Sequence, residues 1–491
     1  MRQKLLLVTL IISLIGIISS CQKETKNDDT NTLEMVRKKP FNPEAMKANS
    51  LKYQEMIEKI DQQIMETMPA IGQTIENLKL ERSKKLSNSG LMKKGKPGKA
   101  VIHIPADYST LQEAVDNATA NGKILVKGTV SDIGNVLIDD VPGLTIQGEG
   151  NSATINGSKL IITATGVTVK DLTINMAIVI SGSSNETIVN NKITSMANTT
   201  GFDFIGYPFD MAVLIDQSVS CIVKNNIIKG SDNNVAIHFG IFMNKGSGHT
   251  IKSNNVSFDA IRIPNTIFFE GIHGNESNNN EISTCNIESN LSTDVINSFG
   301  IYLNGSKNQV SGCKAESVSG PFVLFGNNNQ INNCEAHTFI WSGFEANGNN
   351  NKIKNCKANG SYSNDGFGLR GFASLFGENN IFENCDTKNN EVGFQIGSEG
   401  ASSNSGHRIS NCNSYSNNLY GVFLYKSTLC ILQENDIKLN GAIGINLVEV
   451  SNSKVLRNKS KYNITCDFNQ TNCTGNTVLF NQFGTSCTQL P

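Results

Sequence analysis

A solenoid of parallel β-strands is the fold the sequence predicts, on three observations. From residue 100 onward, short strand-like runs alternate with Asn/Gly/Ser turns. One phrase, Asn-x-(Ile/Val/Phe)-x-x-Cys, recurs along them. Between its copies no stretch has the length and apolar period of a helix, so leucine-rich, ankyrin and similar repeats do not fit.

Composition narrows the class. The chain has 491 residues, 42 basic and 43 acidic, with 38% hydrophobic and 17% charged content. A disordered chain would carry more charge and less apolar content. A helical bundle would hold more Ala, Leu, Glu and Lys. A net charge of −1 builds no basic field, so no nucleic-acid partner is expected.

At the start, Arg2 and Lys4 precede an apolar run over 5–18, then Ser19, Ser20 and Cys21. The run is too short for a spanning helix and reads as a secretory signal over 1–20. Its end, Ile18-Ser19-Ser20-Cys21, resembles the lipobox of bacterial lipoproteins. The resemblance implies cleavage before Cys21 and lipidation of its thiol, hence an exported protein anchored to a bacterial membrane, at the outer membrane or cell surface. Residues 21–43 read as a polar tether. Tyr53, Ile57, Ile60, Ile64 and Met68 then form a helical stripe, Pro69 breaks it, and Ile71, Ile75 and Leu78 begin a second short helix. A coiled-coil stalk and a helix packed on the main body both fit. A Lys-rich linker closes this 44–99 segment, and the solenoid domain runs over 100–491.

The solenoid opens with a strand at Val101-Ile-His-Ile-Pro105 and a short amphipathic helix carrying Leu111, Ala114, Val115 and Ala118. Ser109 and Gln112 have capping-box spacing. A cap suits this place, because an uncovered terminal coil exposes backbone groups and apolar core.

The phrase itself ends on Cys285, Cys313, Cys334, Cys356, Cys385 and Cys412. Asn takes the closing position in the flanking copies, at Asn191, Asn226, Asn254, Asn435, Asn458 and Asn481. Steps between the twelve positions are 35, 28, 31, 28, 21, 22, 29, 27, 23, 23 and 23 residues. Equal phase on successive coils means vertical stacking, about 4.8 Å per rung. Such coils cannot bury an apolar face alone and must stack on neighbours. Over about 101–485 the sequence resembles the right-handed parallel β-helix, or pectin-lyase-like, superfamily, closest in style to NosD-like repeats. In that superfamily a helix caps the open end.

The six cysteines are expected to be a ladder of buried free thiols behaving as small apolar groups. Tetrahedral metal ligands must converge on one point, which a single file does not do, so no metal site is expected. Five residues earlier lies a second column: Glu186, Cys221, His249, Asn280, Asn308, Asn329, Asn351, Asn380, His407, Cys430, Ser453 and Asn476. Stacked amides bond rung to rung, and His249 and His407 read as members of that ladder. Near the C-terminus, Cys466, Cys473 and Cys487 fall outside the ladder, and an exported protein is expected to oxidise one pair of them, Cys466 with Cys473 being one choice.

A third strand repeats Gly-Φ-x-Φ-x, where Φ is apolar and faces inward. One outward file then reads Phe242, His273, Tyr302, Val323, Glu345, Gly368, Gln395, Phe423. Its neighbour reads Asn244, Asn275, Asn304, Phe325, Asn347, Arg370, Gly397, Tyr425. A stripe of rings, amides and ionisable groups suits an extended sugar chain. Loops at 194–220, with Phe202, Asp203, Phe204, Tyr207 and Asp210, and after Asn254, with Asp259, Arg262, Phe268 and Glu270, are expected to wall a groove.

Resemblance to the superfamily's polysaccharide lyases implies a base that takes the proton beside a uronate carboxylate, and a cation that neutralises it. His273, Tyr302 or Lys245 suits the base, and Arg370 suits the carboxylate. Phe242, Lys245, Glu345, Gln395, Phe423 and Tyr425 complete the expected substrate-binding set. Asn364-Asp365-Gly366 resembles a calcium motif of some lyases with only one acidic residue, so no cofactor is assigned, calcium being the one candidate. Gly271-Ile-His273-Gly274 is similar to the His-bearing motif of polygalacturonases but lacks their paired aspartates, and inverting hydrolysis needs two carboxyls. The expectation is a monomeric, lipid-anchored protein that binds an acidic polysaccharide and cleaves it by β-elimination. Its rival is a non-catalytic surface glycan binder or NosD-like periplasmic accessory protein.

Overall fold

The computed structural model describes residues 72–84, 98–132, 134–194, 203–204, 207–230, 237–258, 268–289, 298–360, 370–398 and 404–487. They form a parallel β-helix. The first sheet has sixteen strands, from Lys99–Ile104 to Thr477–Leu479, and every strand pairs in parallel with its counterpart one coil away. The second sheet runs from Lys192–Thr194 to Gln482–Phe483, and the third from Tyr207–Asp216 to Cys466–Thr471. Two long strands, Thr154–Ile162 and Thr173–Ser181, bend through the corner and belong to both of the latter. One core runs the length of the winding, built in the first sheet from the central Ile, Val, Leu or Phe of each short strand, with smaller residues such as Ala315, Ala336 and Ala358 at the matching places of the second.

The corner between the first and second sheets explains the recurring phrase. It needs a residue in the left-handed region, and Asn, Ser, Thr or Gly stands there in nine coils, Asn190, Asn225, Ser253, Thr284, Gly312, Asn333, Asn355, Asn384 and Asn411, with Glu434, Arg457 and Phe480 in the last three. The next side chain turns inward and caps the corner of the coil before it. Asn226 Oδ1 accepts from the Asn191 N–H at 2.9 Å, and Asn254 Oδ1 from the Asn226 N–H at 3.0 Å. Cysteine continues the same chain of bonds. Cys313 Sγ accepts from the Cys285 N–H, Cys334 Sγ from that of Cys313, and Cys412 Sγ from that of Cys385, each at 3.4 Å. The thiol in turn donates to a carbonyl two residues back, as Cys334 does to Asn332 at 3.4 Å. The expected ladder of buried free thiols is present, and its sulfurs are hydrogen-bonding members of it besides filling space.

In the second column the imidazoles act as ladder members too. His249 Nδ1 accepts from the Cys221 N–H at 3.2 Å, and His407 Nδ1 from the Asn380 N–H at 3.3 Å. Asparagine Oδ1 atoms do the same on the rungs between, as between Asn280 and Asn308 at 3.0 Å.

Both ends show departures from the sequence reading. The cap helix is Leu111–Asp116, and its N-cap is Thr110, which accepts from the Glu113 N–H; Ser109 instead donates to the Glu113 carboxylate at 3.0 Å. Thr110 rather than the expected Ser109 is the cap because the extended backbone just before the helix falls at Thr110. A helix over 72–84 lies against this capped end. Ile75 is buried, and Arg82 pairs with Asp116 at 2.7 Å and also with Asp139. Packing on the body is therefore the outcome for this helix. At the far end Cys466 is bonded to Cys487, not to Cys473, which is a free thiol. The tail folds back over the third sheet, with the Cys487 N–H on the Phe468 carbonyl at 3.0 Å, and so brings Cys487 to Cys466. Cys473 sits on the next corner with its Sγ on the Leu447 carbonyl at 3.6 Å. Cys21, the tether, residues 44–71 and the Lys-rich linker lie outside the described residues.

Candidate functional site

The third sheet positions the expected site. Its inward residues, such as Ile241, Ile272, Ile301 and Phe322, join the core, and the residues between them point away from it. The register brings Phe242, His273 and Tyr302 opposite one another on three successive coils. Their rings stack: His273 is 4.5 Å from Phe242 at 14° and 4.8 Å from Tyr302 at 25°. Phe239 meets the imidazole edge-on at 5.5 Å. Behind it, Glu270 shares a short hydrogen bond with His273 Nδ1. Burial pushes the Glu270 carboxyl well above the usual range. A carboxyl in this place fixes the tautomer and orientation of an imidazole.

Beside this file runs a polar one. Asn275 donates to Asn244 at 2.9 Å, and Asn244 to Asp216 at 2.7 Å. Burial raises the Asp216 carboxyl, against the pull of Asn244, Gln217 and Ser181. Sequence reasoning assigned no role to Asp216 and placed Glu270 on a loop wall. The signal for both was a carboxylate inside an otherwise apolar strand.

Arg370 falls in a different file from the expected one. The strand of its coil is Arg370–Ser374, so Arg370 pairs with Ser342 and Val392, while Ala373 takes the outward place opposite Glu345 given to Gly368. The inward phenylalanines set this register: Phe322, Phe344, Phe372 and Phe394 stack at 4.7, 4.9 and 4.9 Å. The Gly-Φ-x-Φ-x pattern fits locally at Gly366, whereas the strand that forms carries Gly371 and puts Phe372 in the stack. Arg370 Nε donates to Gln395 Oε1 at 2.8 Å. Glu345 accepts a short bond from Asn347, just past the end of its strand Ser342–Ala346.

The stripe is covered along most of its length. His273 is 0% exposed, Tyr302 1%, Glu345 2%, and Arg370 and Gln395 4%. It reaches the surface toward the C-terminal coils. There Phe423 stands between Tyr420 at 5.1 Å and Tyr425 at 5.9 Å, both tyrosines are half-buried, and Lys426 Nζ lies 5.2 Å over the Tyr425 ring. Asn446 and Asn469 continue the Phe423 file, joined at 3.0 Å. Lys245 lies apart from the rings, on an exposed left-handed corner 4.0 Å from Glu276. Asp203–Phe204 pairs antiparallel with the start of Tyr207–Asp216 as a hairpin edge. Phe202, Asp259, Arg262 and Asn364-Asp365-Gly366 lie outside the described residues. Among the described residues, no three His, Cys, Asp or Glu side chains converge as a metal site.

These coils define a parallel β-helix protein. No protein family matches the sequence, and no curated protein matches it. Solved structures similar to it are β-helical. One is the catalytic domain of a GH87 alpha-1,3-glucanase in complex with tetrasaccharides, at 13% identity and TM-score 0.42, covering 81% of this chain and 67% of that one. Another is the receptor-binding tailspike of bacteriophage Det7, at 10% identity and TM-score 0.39, covering 75% of each chain. Against ORF18 of Geobacillus virus E2, at 13% identity and TM-score 0.34, this chain covers 60% of the other's length. The likeness lies in the winding alone.

Proposed function

We propose that this chain is an exported, lipid-anchored β-helix protein that binds polysaccharide on the outward face of its third sheet, at the coils of Tyr420, Phe423 and Tyr425. One observation carries the reading: two half-buried tyrosine rings, Tyr420 and Tyr425, flank the buried Phe423 there beside a file of amides, Asn446 and Asn469. Sugar rings stack on aromatics, and their hydroxyls pair with amides. Cys21 supplies the anchor, and binding is the first function of the site. Elimination on an acidic chain, with His273 or Tyr302 as base and Arg370 on the carboxylate, is the catalytic extension. It requires the covered part of the stripe to open, because a base must come within hydrogen-bond reach of its proton. Affinity electrophoresis of the protein through pectin, alginate, glycosaminoglycan and neutral glucan gels tests binding. Retardation lost in Tyr425→Ala supports the site, and no retardation in any gel overturns it. Absorbance of unsaturated uronate in the same panel tests elimination, with Tyr302→Phe and Arg370→Ala as the deciding variants.

A further inference from the structure

The last strand of the first sheet among the described residues, Thr477–Leu479, pairs on one side only, with Lys454–Leu456. Thr477 donates its N–H to Ser453, and Leu479 accepts from Arg457. In a strand, alternate residues point their backbone groups to opposite sides. The N–H and C=O of Val478 therefore both face away from the solenoid, on its open edge.

Edges of this kind are ordinarily blunted by Lys, Pro or a covering element. The third sheet has such a cover, the tail ending in the Cys466–Cys487 disulfide, with Phe483 stacked on Phe468 at 4.8 Å. The first sheet's edge carries no charge: no Lys, Arg, Asp or Glu occurs from Phe468 to Pro491. The preceding coil, by contrast, has Lys454, Arg457, Lys459 and Lys461. Apolar side chains stand open beside the edge, Leu479 49% and Phe480 78% exposed on its corner, with Tyr462 75% and Ile464 72% on another corner of the closing coils.

We propose that this edge is the contact of a two-fold, end-to-end homodimer. An antiparallel pairing centred on Val478 is self-complementary: each Val478 N–H meets the other Val478 C=O, and Asn476 comes opposite Phe480. A two-fold contact uses one patch on both copies, and an uncharged patch raises no like-charge repulsion against itself. A foreign partner would need no such self-complementarity. The open N–H and C=O groups and the exposed Leu479 and Phe480 side chains then find partners in the same contact.

The test is sedimentation equilibrium of the purified full chain over a concentration series, in detergent where it is membrane-bound. The expected result is a two-chain mass that persists at high salt, since no ion pair holds it. In Phe480→Lys and in Leu479→Lys each copy loses an apolar contact and must desolvate a charge against an uncharged partner strand, and both should shift the midpoint of association upward at least tenfold. Both positions are open enough for lysine to leave the fold intact, which circular dichroism checks. A single-chain mass at every concentration overturns the proposal. So does a dimer that neither lysine weakens, because the contact then lies elsewhere or the tail beyond Cys487 already covers the edge.

Discussion

Acid should unfold this solenoid through two ladder histidines, and replacing them should remove the effect. Burial lowers His249 and His407 to about 4 from an ordinary 6.5. Each accepts a backbone N–H through Nδ1, which a protonated ring cannot do. A group depressed in the folded state contributes its stability fully above the unfolded value and loses it as pH falls. The window here is therefore pH 6.5 down to about 4. A 2.5-unit depression at ~1.36 kcal/mol per unit gives a full loss of about 3 kcal/mol per histidine, of which about 2 is already gone at pH 5. Asparagine is the substitute of choice, because it fills the same position on Asn280, Asn308, Asn329, Asn351 and Asn380 and offers an oxygen where Nδ1 stands. Urea unfolding of the parent and of the His249→Asn/His407→Asn variant at pH 7.5 and pH 5 reads the difference. Carboxylates such as Asp216 and Glu270 titrate in both proteins and cancel. The variant should match the parent at pH 7.5 within about 1 kcal/mol and exceed it by about 4 kcal/mol at pH 5, on the same linkage. Parallel pH profiles would refute the assignment of the two rings as neutral acceptors.

Three further outcomes follow from the same packing, and a fourth from the expected lipid anchor. Cys334→Ala should cost about 1–3 kcal/mol, because it orphans the buried Cys313 N–H, while Cys334→Asn should cost less; equal losses in urea unfolding would show that volume, not the hydrogen bond, matters. In folded protein, Cys473 should react with a thiol reagent before Cys313, Cys334 or Cys356, and rapid labelling of those three without denaturant would contradict the ladder. Cys487→Ser should destabilise by about 3 kcal/mol through the freed loop and speed hydrogen exchange at Asp467 and Thr485, whereas unchanged exchange would mean the tail docks without its covalent tie. Cys21→Ser should move the protein from the membrane fraction to the soluble one with its solenoid intact, and an unchanged membrane fraction would place the anchor elsewhere.

Much of the fold is written in local pattern. A phrase repeated at equal phase decides that coils stack, which residues fill the ladders and which side chains face inward, because each follows from a period of two along a strand and one rung per coil. Hence the thiol file, the Asn column, both ladder histidines and the juxtaposition of His273 with Tyr302 are legible without coordinates. What three dimensions decide is of another kind. Pointing away from the solenoid core is not the same as meeting solvent, and strand alternation fixes only the first, so the burial of His273, Tyr302 and Arg370 has no local signature. The register at Arg370 is chosen by a stack of phenylalanines drawn from four coils, over the start at Gly366 that the local pattern favours. Cys487, rather than the nearer Cys473, reaches Cys466 because the tail reverses across the third sheet. In each case the deciding contact joins residues about twenty or more positions apart, and the energy that selects it comes from packing between coils rather than from any one segment.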